Sequence, residues 1–352
     1  MDSAEHGAGV ACSGEELRRT VRADLCQLFE SLVLPLERPA GRSLSAVAIP
    51  GAGSHRLAKD SSGSPCLLLR QQVSAAPTPP IRLQNLLVSY GVPCAISHPD
   101  GQQEEGTFTI IKCSGADPSL FPHFLRILSP IIATLGTTPT PTAVRRAISG
   151  LVDLFQALTT PAKKSVQGLW AELLVIRRAT DPVELVAAWH GLPVERIDFV
   201  SARDRIEVKS SSNRRRVHHF SLMQLTPPAN TRLIIASLFV EPVGGGLSLG
   251  RLSDDIRTIL ASEPVLLTRF DTVFYATLGS GWSDAMEECF DLELAAESLR
   301  FFDSVDIPKI DQPIPATISD IRFTSDVSAA EPLSSDTLIS AGGLFAAAVP
   351  AK

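Results

Sequence analysis

The chain has 352 residues, 44% apolar and 20% charged, an ordinary globular balance that predicts a folded protein of more than one unit. Its net charge of -6 excludes a generic coat for nucleic acid, yet residues 141–220 carry 13 Lys/Arg against 8 Asp/Glu, a local +5 beside -11 elsewhere. A basic middle between acidic ends predicts one local surface for a polyanion.

Residues 1–13 read as a disordered, acidic start without the basic opening and apolar core of a signal peptide. From Gly14 to Leu36, Leu17, Val21, Leu25, Phe29 and Leu32 recur at helical spacing and predict an amphipathic helix. β-rich runs at 45–49, 65–73, 81–90 and 107–113, with a loop at 74–80, predict a small antiparallel sheet. Residues 117–135 and 141–159 read as helices with the Pro- and Thr-rich stretch 137–142 between them. From Pro161, PAKKSVQGLWAELLVIRRAT predicts a long helix and AAWHGLP a short helix and turn. RIDFV, RIEVKSSS and RVHHFSL follow as strands, and TRLIIASLFVEP reads as a covered central strand. Gly244–Gly246 reads as a turn and LSDDIRTILAS as a helix; beyond about residue 265 helix and strand signals alternate into a low-complexity tail.

This order predicts an α/β (α+β) protein. The expected division is a disordered segment at 1–13, an N-terminal α+β domain at 14–140, a core of mixed α/β order at 141–262, an α/β extension packed on it at 263–335, and a flexible tail at 336–352. No run of about 18 apolar residues predicts a membrane span. Cys12, Cys26, Cys66, Cys94, Cys113 and Cys289 are scattered without a C-x-x-C pair, which argues against disulfides and a zinc knuckle and fits a reducing cytoplasm.

Chemistry concentrates in IDFVSARDRIEVK, residues 197–209. Side chains alternate faces along a strand, so Glu207 and Lys209 share one face while Ile206 and Val208 share the other. A tight hairpin symmetric about the 202–203 bond places positions summing to 405 opposite each other, which makes Asp198 and Glu207 cross-strand neighbours. Their Cβ atoms would lie about 5 Å apart, a repulsive pairing of like charges. A divalent cation would turn that repulsion into ligation by Asp198, Glu207 and the Val208 carbonyl, with Mg²⁺, or Mn²⁺ in its place, as the expected cofactor. Such an ion polarises a phosphate and acidifies a bound water, while Lys209 stabilises developing charge: the chemistry of phosphodiester hydrolysis. The plainer alternative is a solvent-facing hairpin with two ordinary polar residues.

Glu172 adds a further acid. At 100° per residue it falls about 60° from Leu169, on the edge of the stripe formed by Leu169, Leu173 and Ile176. A carboxylate there needs a partner, either a metal or a cation such as Lys163, Lys164 or an arginine. Trp170 and Trp189 read as core aromatics, and His218 and His219 point to opposite faces of their strand.

An acid on a helix, then D…(D/E)-x-K on a hairpin, then a further helix, resembles the core of the PD-(D/E)XK nuclease superfamily. The chain is similar in particular to a bacterial family called simply PD-(D/E)XK motif proteins, which accompany restriction and phage-defence loci. Carrying the resemblance are GLWAELLVIRR at 168–178, AAWHG at 187–191, the hairpin, SLMQL at 221–225, DSVDIPKI at 303–310 and SDIRF at 319–323. The resemblance implies a restriction-endonuclease-like core with a mixed central sheet flanked by helices. It implies Asp198 and Glu207 as metal ligands, Lys209 as the catalytic lysine, Glu172 as the helix acid and Gln224 as a glutamine near the metal or DNA. Ile197 stands where the motif has its variable proline.

Arg214, Arg215 and Arg216 read as phosphate contacts or as a solvated turn, and Ser210 with its two neighbours as further phosphate donors or turn residues. The expected function is therefore a Mg²⁺-dependent DNA endonuclease of a restriction or defence system. Its expected partners are DNA, a second copy of the chain, and an ATPase or methyltransferase of the same locus. The alternatives are a non-catalytic or partner-dependent DNA-binding subunit, and a nuclease acting on RNA or branched DNA.

Overall fold

A computed structural model describes residues 24–35, 42–70, 78–115, 117–189, 197–313, 315 and 317–351. The chain divides into two compact units, residues 1–156 and 157–352. The expected disorder at 1–13 and the first part of the expected 14–36 helix lie outside the described residues; within residues 24–35 the helix, α1, spans only Leu25–Glu30, capped by the Asp24 carboxylate, and residues 31–35 leave it short of the expected end at Leu36.

The N-terminal unit holds strands β1 (Arg42–Ala48), β2 (Arg56–Lys59), β3 (Pro65–Arg70), β4 (Ile81–Arg82), β5 (Leu86–Ser97) and β6 (Gln103–Cys113). They pair in the order β1-β2-β3-β6-β5-β4, antiparallel throughout, but β1 also pairs with the far half of β5 in parallel, Arg42 opposite Cys94. That parallel pairing closes five strands into a ring, a departure from the purely antiparallel sheet the sequence suggested. Leu44, Ala46, Ala58, Leu68, Cys94, Ile96, Phe108 and Ile110 fill its inside. Helices α2 (Leu120–Leu135) and α3 (Pro141–Ala157) complete the unit. Phe124 and Phe155 meet edge to face at 6.0 Å, so α3 stays with this unit and the division falls near residue 156, after the expected boundary at 140.

The second unit opens with α4 (Val166–Arg178) and α5 (Pro182–Ala188). The hairpin β7 (Phe199–Ser201) and β8 (Asp204–Ser211) follows, then β9 (Val217–Ser221), β10 (Arg232–Phe239) and β11 (Pro242–Ser248). Next come α6 (Leu249–Ile259), α7 (Pro264–Leu278), α8 (Trp282–Ala285), β12 (Cys289–Phe290), α9 (Leu292–Ser298), β13 (Arg300–Asp303) and β14 (Arg322–Asp326). The central sheet runs β13-β10-β8-β7, with β8 and β10 parallel and the outer pairs antiparallel. Strand β10 is buried along nearly its whole length, as expected of a covered strand. β9 leaves the sheet and pairs with β14 instead.

Two expectations are corrected here. Gly244–Gly246 lies within β11, where Pro242 and Leu247 both face Phe290, so the run forms a bulge rather than a plain turn. Gly245 has φ 81°, and a Cβ on Gly246 would sit 2.3 Å from the Phe290 carbonyl oxygen, so the chain there tolerates only glycine. The tail expected to be flexible forms α10 (Ser335–Ala341) and α11 (Gly343–Ala347). It buries Leu338, Leu344 and Phe345, and main-chain bonds fix it: Thr180 N–H donates to Val349 O and Ala351 N–H to Arg178 O. Alternating small residues looked like low complexity but permit this close packing.

Candidate active site

Helix α4 supplies the first acid. Ser165 caps it, accepting from Gly168 N at 3.1 Å, and Lys163 N–H donates to Thr277 O at 2.9 Å just before. Every side chain from Leu169 to Ile176 is buried, because α4 packs on β8 as well as on α5 and α6. Glu172 is therefore enclosed rather than at the edge of an apolar stripe. Both of its oxygens are used: Oε1 accepts from Lys164 Nζ at 2.6 Å and Oε2 from Trp189 Nε1 at 2.8 Å. Of the two readings of this residue, the ion pair with Lys164 is the one its contacts display.

The hairpin supplies the other acids. Phe199 faces Ile206, Val200 faces Arg205 and Ser201 faces Asp204, the register in which opposed positions sum to 405. Ala202 makes the turn at φ 48°. Asp198, one residue before β7, accepts from Val208 N at 2.8 Å through Oδ2 and from Lys164 Nζ at 2.5 Å through Oδ1. Across from it, Glu207 Oε1 accepts from Gln224 Nε2 at 2.6 Å and pairs with Lys209 Nζ at 2.8 Å. Among the described residues, Glu207 Oε2 is buried without a hydrogen-bond partner. Lys209 Nζ also lies 5.0 Å over the Phe220 ring.

These carboxylates strain against one another. Burial first, then the Asp198 charge, pushes the Glu172 and Glu207 carboxyls each up to about 8, against the opposing pull of Lys164 and Lys209 respectively. Lys164 is raised as well: burial works against its charge, but Asp198 and Glu172 outweigh that and hold its proton more tightly than an ordinary lysine's.

A hard divalent cation fits this chemistry. Three buried carboxylates face two ammonium groups, one net negative charge if all are ionised, and Glu207 Oε2 is an oxygen donor that no described residue meets. Among the described residues no group of three His, Cys, Asp or Glu side chains is set to hold a metal ion; the donors expected from the sequence are two carboxylates, Asp198 and Glu207, with the Val208 carbonyl as the third.

The remaining expected residues separate. Gln224 joins the site directly, its amide fixed by Ser221 N, which donates to Oε1 at 3.0 Å. Ser210 Oγ accepts from Gln167 Nε2 at 3.0 Å, which ties it to the start of α4. The three arginines do not act as one patch. Arg214 makes a two-pronged pair with Glu241 at 2.6 and 3.0 Å, and Arg215 is exposed. Arg216 turns inward and corrects the phosphate reading: it donates to Ser237 O and Oγ at 2.7 and 2.8 Å and to Ser298 O, between the rings of Phe239 and Phe302. Buried His218 bonds Ser237 Oγ at 2.8 Å, and burial drops its pKa to about 4. Two residues acquire roles the sequence did not assign. Trp189 is a buried aromatic, as expected, that also donates to Glu172, and Lys164 bridges two acids. Proximity of Lys164 to the α4 N-terminus was the available signal.

Helix α4 with its inward acid, a hairpin with Asp198 opposite Glu207-Val208-Lys209, and a parallel strand beside it define a PD-(D/E)XK-type arrangement. The chain belongs to the DUF4420 family, described as "Putative PD-(D/E)XK family member, (DUF4420)", whose model matches residues 26–328. No curated protein and no solved structure matches the chain. Among the described residues no helix is long and apolar enough to cross a membrane.

Proposed function

We propose that the chain is a metal-dependent endonuclease that hydrolyses DNA phosphodiester bonds, with Mg²⁺ as its ion, in a bacterial restriction or phage-defence system. The observation that carries this reading is the meeting of Asp198, Glu207 and Lys209 on one hairpin, with Glu207 Oε2 buried and unpartnered among the described residues. A bound divalent ion would polarise the scissile phosphate and acidify an attacking water. The protein's own residues do the rest. Asp198 is aimed by the Val208 amide, and Glu207 is oriented by Gln224. Lys209 keeps its ammonium beside Glu207, where it can donate to a phosphate oxygen and to the water that attacks it. Exposed Arg215 is the phosphate contact favoured among the three arginines. Cutting both strands with one such centre calls for two copies of the chain or for successive nicks.

A second reading has its own support. Lys164 already bridges Glu172 and Asp198, as a structural ion triad would in a DNA-binding subunit without chemistry of its own. Purified protein on a mixed DNA substrate with Mg²⁺ or Mn²⁺, with Lys209→Ala alongside, separates the two. Cleavage lost in the variant supports the nuclease. Binding without cleavage, even with an ATPase or methyltransferase from the same locus added, supports the subunit. Matched RNA and branched substrates in the same assay test the choice of DNA.

A further inference from the structure

Resting on the metal-dependent reading above, we propose that Lys164 is a tethered cation that guards the metal site: its ammonium holds Glu172 and Asp198 in the metal-free protein, and an entering divalent ion displaces it toward solvent.

The argument starts at Asp198. One of its oxygens is held by the Val208 amide, a main-chain donor of the hairpin itself. The other is held by a side chain, Lys164, at 2.5 Å. An ion that takes Asp198 as ligand competes for the second oxygen, because its donor can leave without opening the hairpin. Lys164 has somewhere to go. Its side chain is 38% exposed while those of Glu172 and Asp198 are 5% and 9%, so its stem leads out of the site. Its main chain has not. Lys163 is anchored to Thr277 and Ser165 caps α4, so the ammonium swings on a fixed root.

Charge balance gives the direction. With all three carboxylates ionised, as they are once the ion has displaced their protons, they and the two ammonium groups carry one net negative charge. A divalent ion added to that set overshoots to one net positive charge, and expelling Lys164 restores neutrality. An ammonium and a metal sharing Asp198 would also repel each other across a poorly solvated space. Free lysine in solution would lose this contest at once; the tether makes it a graded one, which sets how much divalent ion is needed to load the site.

Two measurements test this on the metal-free full chain. Calorimetry with Mn²⁺ compares wild type, Lys164→Met and Asp198→Asn. Amine acylation read by mass spectrometry follows Lys164 of the wild type with and without Mn²⁺. Removing one charge-assisted competitor for a ligand oxygen should tighten Mn²⁺ binding in Lys164→Met by about tenfold or more. Asp198→Asn should lose binding, and Mn²⁺ should make Lys164 more reactive rather than protect it. Wild-type binding that Asp198→Asn abolishes but Lys164→Met leaves unchanged or weakens overturns the proposal and spares the metal site. So does Mn²⁺ that leaves Lys164 reactivity unchanged or reduces it, a result that stands even if Lys164→Met fails to fold. No Mn²⁺ binding by folded wild type or Lys164→Met overturns the metal reading and this proposal together.

Discussion

Glu207→Gln should make the metal-free protein more stable at neutral and alkaline pH, although it removes an acid from the centre of the site. Glu207 is 3% exposed, with one oxygen unpartnered among the described residues, and its carboxyl is pushed up to about 8 from the ordinary 4.5. A carboxyl whose folded pKa is raised contributes fully below its unfolded pKa and loses that contribution as pH rises through the folded value. The unfolded chain ionises Glu207 near pH 4.5, so at pH 7 the folded protein forgoes about 3 kcal/mol, and above pH 8 about 5 kcal/mol at most. Glutamine has nearly the same shape and no charge to lose. Its side chain keeps an oxygen for Gln224, while Lys209 gives up an ion pair. Urea denaturation of metal-free wild type and Glu207→Gln at pH 5, 6.5 and 8 measures the gap. The variant should match wild type, or fall slightly below it, at pH 5 and exceed it increasingly at pH 6.5 and 8. A gap that stays constant across the three would refute the argument, because it would mean that Glu207 ionises as freely folded as unfolded.

Metal loading should release protons at pH 7, since Glu172 and Glu207 both sit at about 8 beforehand; Mn²⁺ titrations in buffers of different ionisation enthalpy read the release, and buffer-independent heats would contradict it. Lys209→Ala should lower cleavage about 100-fold or more while Mn²⁺ still binds, because Asp198, Glu207 and the Val208 carbonyl are all retained; filter-bound cleavage and calorimetry together decide this. Arg216→Ala should cost roughly 2–4 kcal/mol in urea denaturation, through lost bonds to Ser237 and Ser298 in a half-buried setting. Arg215→Ala should leave stability within about 0.5 kcal/mol and reduce the salt slope of DNA binding by about one, and an unchanged slope would remove Arg215 from the DNA surface.

The parts of this protein that were legible in its sequence are those set by short periods. Hairpin register followed from alternation and a tight turn, so Phe199 opposite Ile206 could be read from thirteen residues. The apolar run of β10 announced a covered strand for the same reason. Contacts made across long separations were hidden. Nothing local says that β1 returns to pair with β5, because strands alternate alike in an open sheet and in a closed ring. Arg214, Arg215 and Arg216 look equivalent in a charge count. Phe239 and Phe302, supplied by two later strands, single out Arg216 for burial. Lys164 was named only as one of several cations for Glu172. Its second partner, Asp198, is 34 positions away and becomes a neighbour only once the hairpin docks on α4.

The packing of residues 335–351 beneath the hairpin bears on when the site can first exist. Asp204, at the turn of the hairpin, pairs with Arg232 at 2.9 Å, and Arg232 in turn donates to Ala341 O and lies 4.7 Å from the Phe345 ring. Gly343 approaches so closely that a Cβ there would lie 2.6 Å from Asp204 Oδ2. The support of the turn thus comes from chain made more than 130 residues after it. During synthesis the acids of β8 emerge long before the helices that brace their hairpin, and non-local contacts of this kind form late. A nascent chain that has emerged only as far as β8 therefore carries the motif without the helices that brace it.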